Sequence, residues 1–287
     1  MRGIIMDILI NSLHETLMLF PYLYLTYLFM EAMEHKLSRR SSIYVRKAGQ
    51  YGPIVGGLLG AIPQCGFSVV GSNLYATGLI TLGTLMAVFL STSDEMLPLL
   101  ISRGVESSLI FNILFVKVLF AIVIGFLIDK FLPESFIKHK NEINISEFCK
   151  REKCKCEHKK NIFVSAFRHA EKICIFIFIF SLILNSALSF GGKDILQDSL
   201  TSMPIVSKIV AALIGLIPSC YPSVLLTQLY VNGTISISTL LAGTFSNAGL
   251  GYLVLYRVNK NEKENANILV LLFVIGFVCG IIADLFF

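Results

Sequence analysis

At an offset of 155 residues the chain aligns with itself without a gap, and this internal repeat restricts the fold to two copies of one unit. Residues 54–100 laid over 209–255 give roughly 18 identities in about 47 positions. The strongest stretch sets Gly-Ala-Ile-Pro-Gln-Cys-Gly-Phe-Ser, Gly60 to Ser68, over Gly-Leu-Ile-Pro-Ser-Cys-Tyr-Pro-Ser, Gly215 to Ser223. Outside it the register holds, with His14 on His169, Tyr75 on Tyr230, Gly78 on Gly233, Ser91 on Ser246, Gly125 on Gly280 and Asp129 on Asp284. The chain therefore divides into a first repeat, 1–132, a linker, 133–162, and a second repeat, 163–287.

Composition fixes the solvent of these repeats. With 55% hydrophobic and 15% charged residues and a mean hydropathy of +0.74, a water-soluble globule of 287 residues would expose too much apolar surface. Long apolar runs lie near 8–30, 52–76, 79–101, 107–132, 163–190, 205–230, 234–256 and 267–287. Each approaches the ~20 residues that cross a bilayer core. The sequence predicts an all-α polytopic membrane protein. No cleavable signal peptide is expected, because His14 and Glu15 interrupt the first run and no small-residue cleavage site follows it.

The net charge of +5 would suggest nucleic acid as a partner of a soluble protein, but here the basic residues gather in loops, so the bilayer is the expected partner and nucleic acid is not. Loop 31–50 holds Lys36, Arg39, Arg40, Arg46 and Lys47, the linker holds eight Lys or Arg, and Arg257, Lys260 and Lys263 mark a third basic loop. All three are expected in the cytoplasm, with 102–106 and 191–203 outside. The first two loops share a side only if 52–76 dips into the membrane and returns. Residues 52–76 and 205–230 are thus read as re-entrant hairpins broken at Pro63 and Pro218, where proline removes a backbone donor in mid-run. Each repeat then has three spanning helices plus one hairpin, an odd number of crossings, which makes the pair an inverted-topology repeat of the secondary-transporter kind.

Two inverted hairpin tips meet near the midplane, where unwound backbone lines a buried or wet site. That places Gln64, Cys65, Ser68, Ser219, Cys220 and Ser223 among the candidate substrate ligands. Cysteine thiolates suit soft metals, whereas hydroxyls and freed carbonyls suit harder cations. The bland reading of a buried cysteine is packing. A second candidate is the pair Asp94 and Glu95 in Ser91-Thr92-Ser93-Asp94-Glu95, since adjacent carboxylates in a span usually face a cavity, pair with a cation or relay protons. Their counterparts are Gly249 and Leu250, so that charge is asymmetric, and Asn247 beside Ser246 is a neutral candidate ligand. His14 and His169 match in the repeat and are weaker metal or proton candidates. Asp129 and Asp284 lie at span ends and read as helix-end groups, and Asn73, Tyr75, Gln228 and Tyr230 either line the cavity or pin helices.

In the linker, Cys149, Cys154, Cys156 and His158 could capture a thiophilic metal, although their spacing matches no standard zinc pattern. Disulfides are not expected in a reducing cytoplasm. Cys174 and Cys279, without repeat partners, read as core.

Gly-x-Ile-Pro-x-Cys-x-x-Ser in both halves, Ser-Thr-Ser-Asp-Glu before a proline, and a basic Cys/His linker resemble the ten-transmembrane heavy-metal exporters, variously labelled arsenic efflux proteins or manganese transporters. The resemblance covers nearly the whole chain, and counting each hairpin as two half-helices turns eight runs into ten. It implies export of a toxic or surplus metal species across the bacterial inner membrane. Tyr221-Pro222 departs from the first motif, which sets symmetric ligation by the two tips in question.

Cys65 and Cys220 offer two thiolates, one short of the three that arsenite takes. Asp94, Glu95, Asn247 and hairpin carbonyls offer the oxygens that a Mn2+-like cation prefers. The expected function is therefore proton-coupled export of a divalent cation, with efflux of trivalent arsenic as the alternative. No cofactor is expected beyond the transported ion, and a homo-oligomer is compatible with the chain. A membrane enzyme is a third reading, against which stand the absence of His-Glu-x-x-His, Gly-x-Ser-x-Gly and phosphate-loop motifs and the duplication of the whole span set.

Overall fold

The computed structural model describes residues 49–63, 66–93, 95–132, 162–187, 204–219, 221–259 and 261–287, with Ile10, Leu13, Leu17, Phe20, Pro21, Tyr24, Leu25 and Leu28, each helical, from the N-terminal region. The described residues are helical with short connections and contain no strand. In the first repeat they form α1 (Gly52–Gly60), α2 (Gly66–Ala76), α3 (Leu82–Ser91), α4 (Met96–Ser102) and α5 (Ser107–Phe131). There follow, in the second repeat, α6 (Ile162–Ala187), α7 (Pro204–Gly215), α8 (Tyr221–Val231), α9 (Ile237–Ser246), α10 (Gly249–Val258) and α11 (Glu262–Ala283).

The repeat reappears as equal element boundaries. At the same offset α2 coincides with α8 and α3 with α9 at both ends, while α1 ends where α7 ends and α5 starts where α11 starts. Local chemistry explains the match. After α2 and α8 the chain reverses through Gly78 at φ 75° and Gly233 at φ 72°, a region glycine enters without a Cβ penalty. Thr81 and Ser236 then cap the next helix, their hydroxyl oxygens accepting from Thr84 N at 3.1 Å and Thr239 N at 3.2 Å.

Close glycine contacts give the helix directions. Gly52 backs onto Thr84, Gly56 onto Thr84 and Val88, and Gly60 onto Val88 and Ser91, so α1 and α3 run the same way and α2 returns between them. Along α5 the order reverses, with Gly83 against Gly125 and Asp129, and Lys117 reaching Thr92. The second repeat repeats this, with Gly215 against Gly243 and Ser246, and Gly276 and Gly280 against Ala242. Small residues permit such approach of membrane helices, whose association rests on close packing.

The copies touch reciprocally. Helix α2 packs on α10 and α4 on α8, while the equivalent helices α3 and α9 meet each other. Ser72 Oγ donates to Gly251 O at 2.7 Å, and Tyr75, at the open end of the first hairpin, donates to the Glu264 carboxylate at the start of α11. One buried cluster runs through both repeats, and a smaller one joins Val69, Leu250, Val254 and Val258 to Ala166, Ala170 and Cys174 of α6, with Phe20 and Tyr24 packed beside it. Cys174 and Cys279 are buried, as core residues are expected to be. Outward, α5 presents Phe111, Phe115, Leu119, Val123 and Phe126, and α11 presents Val270, Val274 and Val278, all exposed. So continuous an apolar face is tolerated by lipid rather than water.

Two of the expected spans are not continuous. Residues 79–101 and 234–256 read as unbroken helices in sequence, whereas α3 stops at Ser91 before α4 starts at Met96, and α9 stops at Ser246 before α10 starts at Gly249. In a continuous helix the Pro98 ring would strike the carbonyl four residues earlier; at the third position of α4 its missing N–H costs nothing. In the second repeat Asn247 Oδ1 accepts from Gly249 N at 2.8 Å and Gly249 takes φ 54°, a local turn that ends α9.

Candidate functional site

Each repeat brings two helix breaks to one level. The half-helices α1, α2 and α3 have 9, 11 and 10 residues, so each extends about 13–17 Å, roughly half a hydrocarbon core. Ser93 Oγ, in the α3–α4 break, donates to Ala61 O at the α1–α2 break at 3.0 Å. Lys117 Nζ donates to Thr92 O at 2.5 Å and to Thr244 O at 3.2 Å, linking the breaks of the two repeats. The C-terminal ends of α1, α3, α7 and α9 and the N-terminal ends of α2, α4, α8 and α10 therefore gather there, offering carbonyl groups and amide groups together.

Hydroxyls enrich this level in acceptor oxygens. Ser91 Oγ donates to Ala87 O at 2.8 Å, Thr92 Oγ1 to Val88 O at 2.7 Å and Ser246 Oγ to Ala242 O at 3.1 Å. A hydroxyl that gives its proton to a helix carbonyl keeps its lone pairs for another partner. Ser219 Oγ, at the α7–α8 break, is buried and makes no hydrogen bond. Such an orphaned group in a native fold calls for a ligand or water.

Of the residues expected from sequence, the structure places several here. Asn247 is buried at the α9–α10 break, with its Oδ1 already accepting from Gly249 N. Ser68 and Ser223 are buried one turn into α2 and α8, where their carbonyls accept from Ser72 at 2.9 Å and Thr227 at 2.6 Å. Glu95 is exposed in the turn before α4, Pro63 is exposed and Pro218 is half-buried. Gln64, Cys65, Asp94, Cys220, His14, Cys149, Cys154, Cys156 and His158 lie outside the described residues, as does the side chain of His169 in α6. Among the described residues no three His, Cys, Asp or Glu side chains form a metal-holding group.

Other candidates resolve as structural fasteners. Asn73 Nδ2 donates to Val69 O at 3.2 Å, and Asp129 accepts from Thr81 Oγ1 at 2.7 Å and Gly83 N at 2.8 Å, fixing the start of α3. Asp284 pairs with Lys208 of α7. Sequence reading missed Lys117, which is fully buried in α5 at the junction of both repeats. Its signal was available: it is a charge in mid-span, the kind of residue that marks a functional site by default.

A family model described as "Putative, 10TM heavy-metal exporter", ArsP_2, matches residues 5–195 and 149–255, most of the chain. The chain belongs to the ArsP_2 family. No curated protein and no solved structure matches it. Membership in this exporter family agrees with the apolar helices: Ser107–Phe131 and Glu262–Ala283 are each long and apolar enough to cross a membrane. The ArsP_2 chain is thus a multi-pass membrane protein of a family described as heavy-metal exporters.

Proposed function

We propose that this chain exports a Mn2+-like divalent cation across the bacterial inner membrane by proton-coupled alternating access between two inverted repeats. The observation that carries the reading is the α3–α4 break, where the Asp94-Glu95 pair of the sequence falls beside Ser93, which bonds to the α1–α2 break. Carboxylate, hydroxyl and carbonyl oxygens suit a hard divalent ion, and an acidic pair can alternate between cation and protons. Inversion is supported by Tyr75. Its partner Glu264 begins α11, whereas the position equivalent to Glu264 in the first repeat, Leu109, begins α5 at the end remote from Tyr75. The return of α2 alongside α3 supports a re-entrant hairpin, with loops 31–50, 133–162 and 257–263 in the cytoplasm. Cys65 and Cys220 of the two Ile-Pro-x-Cys motifs would serve as soft ligands, and the linker thiols would collect metal.

The test is metal flux in proteoliposomes under an imposed pH gradient. Asp94→Asn with Glu95→Gln is expected to abolish divalent-cation export and its proton counterflow, while Cys65→Ser with Cys220→Ser shifts preference among metals. If the carboxylate variant moves cations at the normal rate and the cysteine variant loses trivalent arsenic instead, efflux of an arsenical replaces the cation reading.

A further inference from the structure

Lys117 presents an ammonium where a metal co-ion would be at home. It is fully buried, it donates to Thr92 O and Thr244 O, and its Nζ stands 5.6 Å from the centroid of the Phe245 ring. Thr92 is the C-cap residue of α3 and Thr244 lies in the last turn of α9, so both carbonyls belong to negative ends of half-helices, one from each repeat. Unwound carbonyls and half-helix C-termini are what secondary transporters use to hold a monovalent metal ion. At the equivalent position the second repeat has Leu272, also fully buried, so packing alone is met there by an uncharged side chain. A charge in mid-span is costly to bury, and the oxygens around Nζ offset that cost.

We infer that Lys117 is a tethered cation, its ammonium filling an oxygen-lined cation site between the ends of α3 and α9 so that the two broken spans hold together without a bound monovalent metal. The site follows from geometry; only its consequence for flux rests on the export reading above. Removing the ammonium leaves carbonyl oxygens that a Na+ or K+ ion can share.

The experiment compares the wild-type chain with Lys117→Met and Lys117→Ala, each purified in choline, Na+ or K+ salt and followed by unfolding temperature, then by metal flux in proteoliposomes with the same salts. The wild type is expected to unfold at one temperature in all three. The variants are expected to unfold lower in choline, to recover saturably with Na+ or K+, and to lose flux except with the restoring ion. Variants equally stable in choline, Na+ and K+ overturn the proposal, and so do variants folded in none of them, because no inorganic ion then replaces the ammonium. Restored stability without restored flux upholds the cation site and counts against the export reading instead.

Discussion

Asp129 and Asp284 occupy equivalent positions at the ends of α5 and α11, and each ties that end to the start of a broken span. Asp129 does so by accepting from the first turn of α3, a capping role worth about 1 kcal/mol. Asp284 instead pairs with Lys208, a nearly buried lysine of α7. Desolvation would raise the Asp284 pKa, but hydrogen bonds from Lys208 and Ser238 and the charge of Lys208 outweigh it and hold the carboxyl below its ordinary value. A depressed carboxylate contributes stability that is present above its unfolded-state pKa and lost as pH falls through its folded pKa. Asp284→Asn is therefore expected to lower the unfolding temperature at neutral pH, by an amount corresponding to no more than about 1 kcal/mol because the half-exposed carboxylate is screened by solvent, and to flatten the loss of stability on acidification through the carboxylate range. Unfolding temperature against pH for both chains checks this; parallel curves would remove the pair from the account.

Gly251 shows how one small residue decides the approach of two helices. A β-carbon there would come within 2.7 Å of Ser68 Cβ and O, closer than real contacts, so α10 could not lie on α2 and the Ser72–Gly251 hydrogen bond would part. Gly251→Val is expected to cost about 1–3 kcal/mol, read as a lower unfolding temperature, whereas Gly49→Ala, with open space around it, is expected to leave it unchanged. The same scale shows what the sequence made legible. Pro63 and Pro218 announced their breaks, because proline in an apolar run has few other meanings. The apolar run around Asp94-Glu95 masks the α3–α4 break, although Pro98, four residues beyond Asp94, forbids a continuous helix there. The α9–α10 break carries no proline, and Asn247 with Gly249 is a turn signal that an apolar run of this length masks. The mid-span charge of Lys117 was legible, but its partners, 25 and 127 positions away, were not.

For the whole molecule, the contact pattern orders the loops in depth. Tyr51 and Leu132 flank the start of α1 and the end of α5, which lie together because Gly125 packs against Pro53. Tyr75 joins the same end of the first repeat to Glu264, and so to the basic loop around Arg257. In the second repeat the Lys208–Asp284 pair gathers the starts of α7 and α9 with the end of α11 at the opposite limit of α10 and α11. If the repeats are inverted in a bilayer, single cysteines at Tyr51, Leu132 and Asn261, placed in a background without native cysteines, are all labelled by an impermeant thiol reagent only when the cytoplasmic face is open. Cysteines at Thr234 and Phe287 are labelled from the other face. Basic residues crowd the first set of loops, as the retention of Lys and Arg in the cytoplasm requires. Labelling of Tyr51 and Asn261 positions from opposite faces would make the copies parallel, and a parallel pair could not bring two hairpin tips to one midplane site from opposite sides.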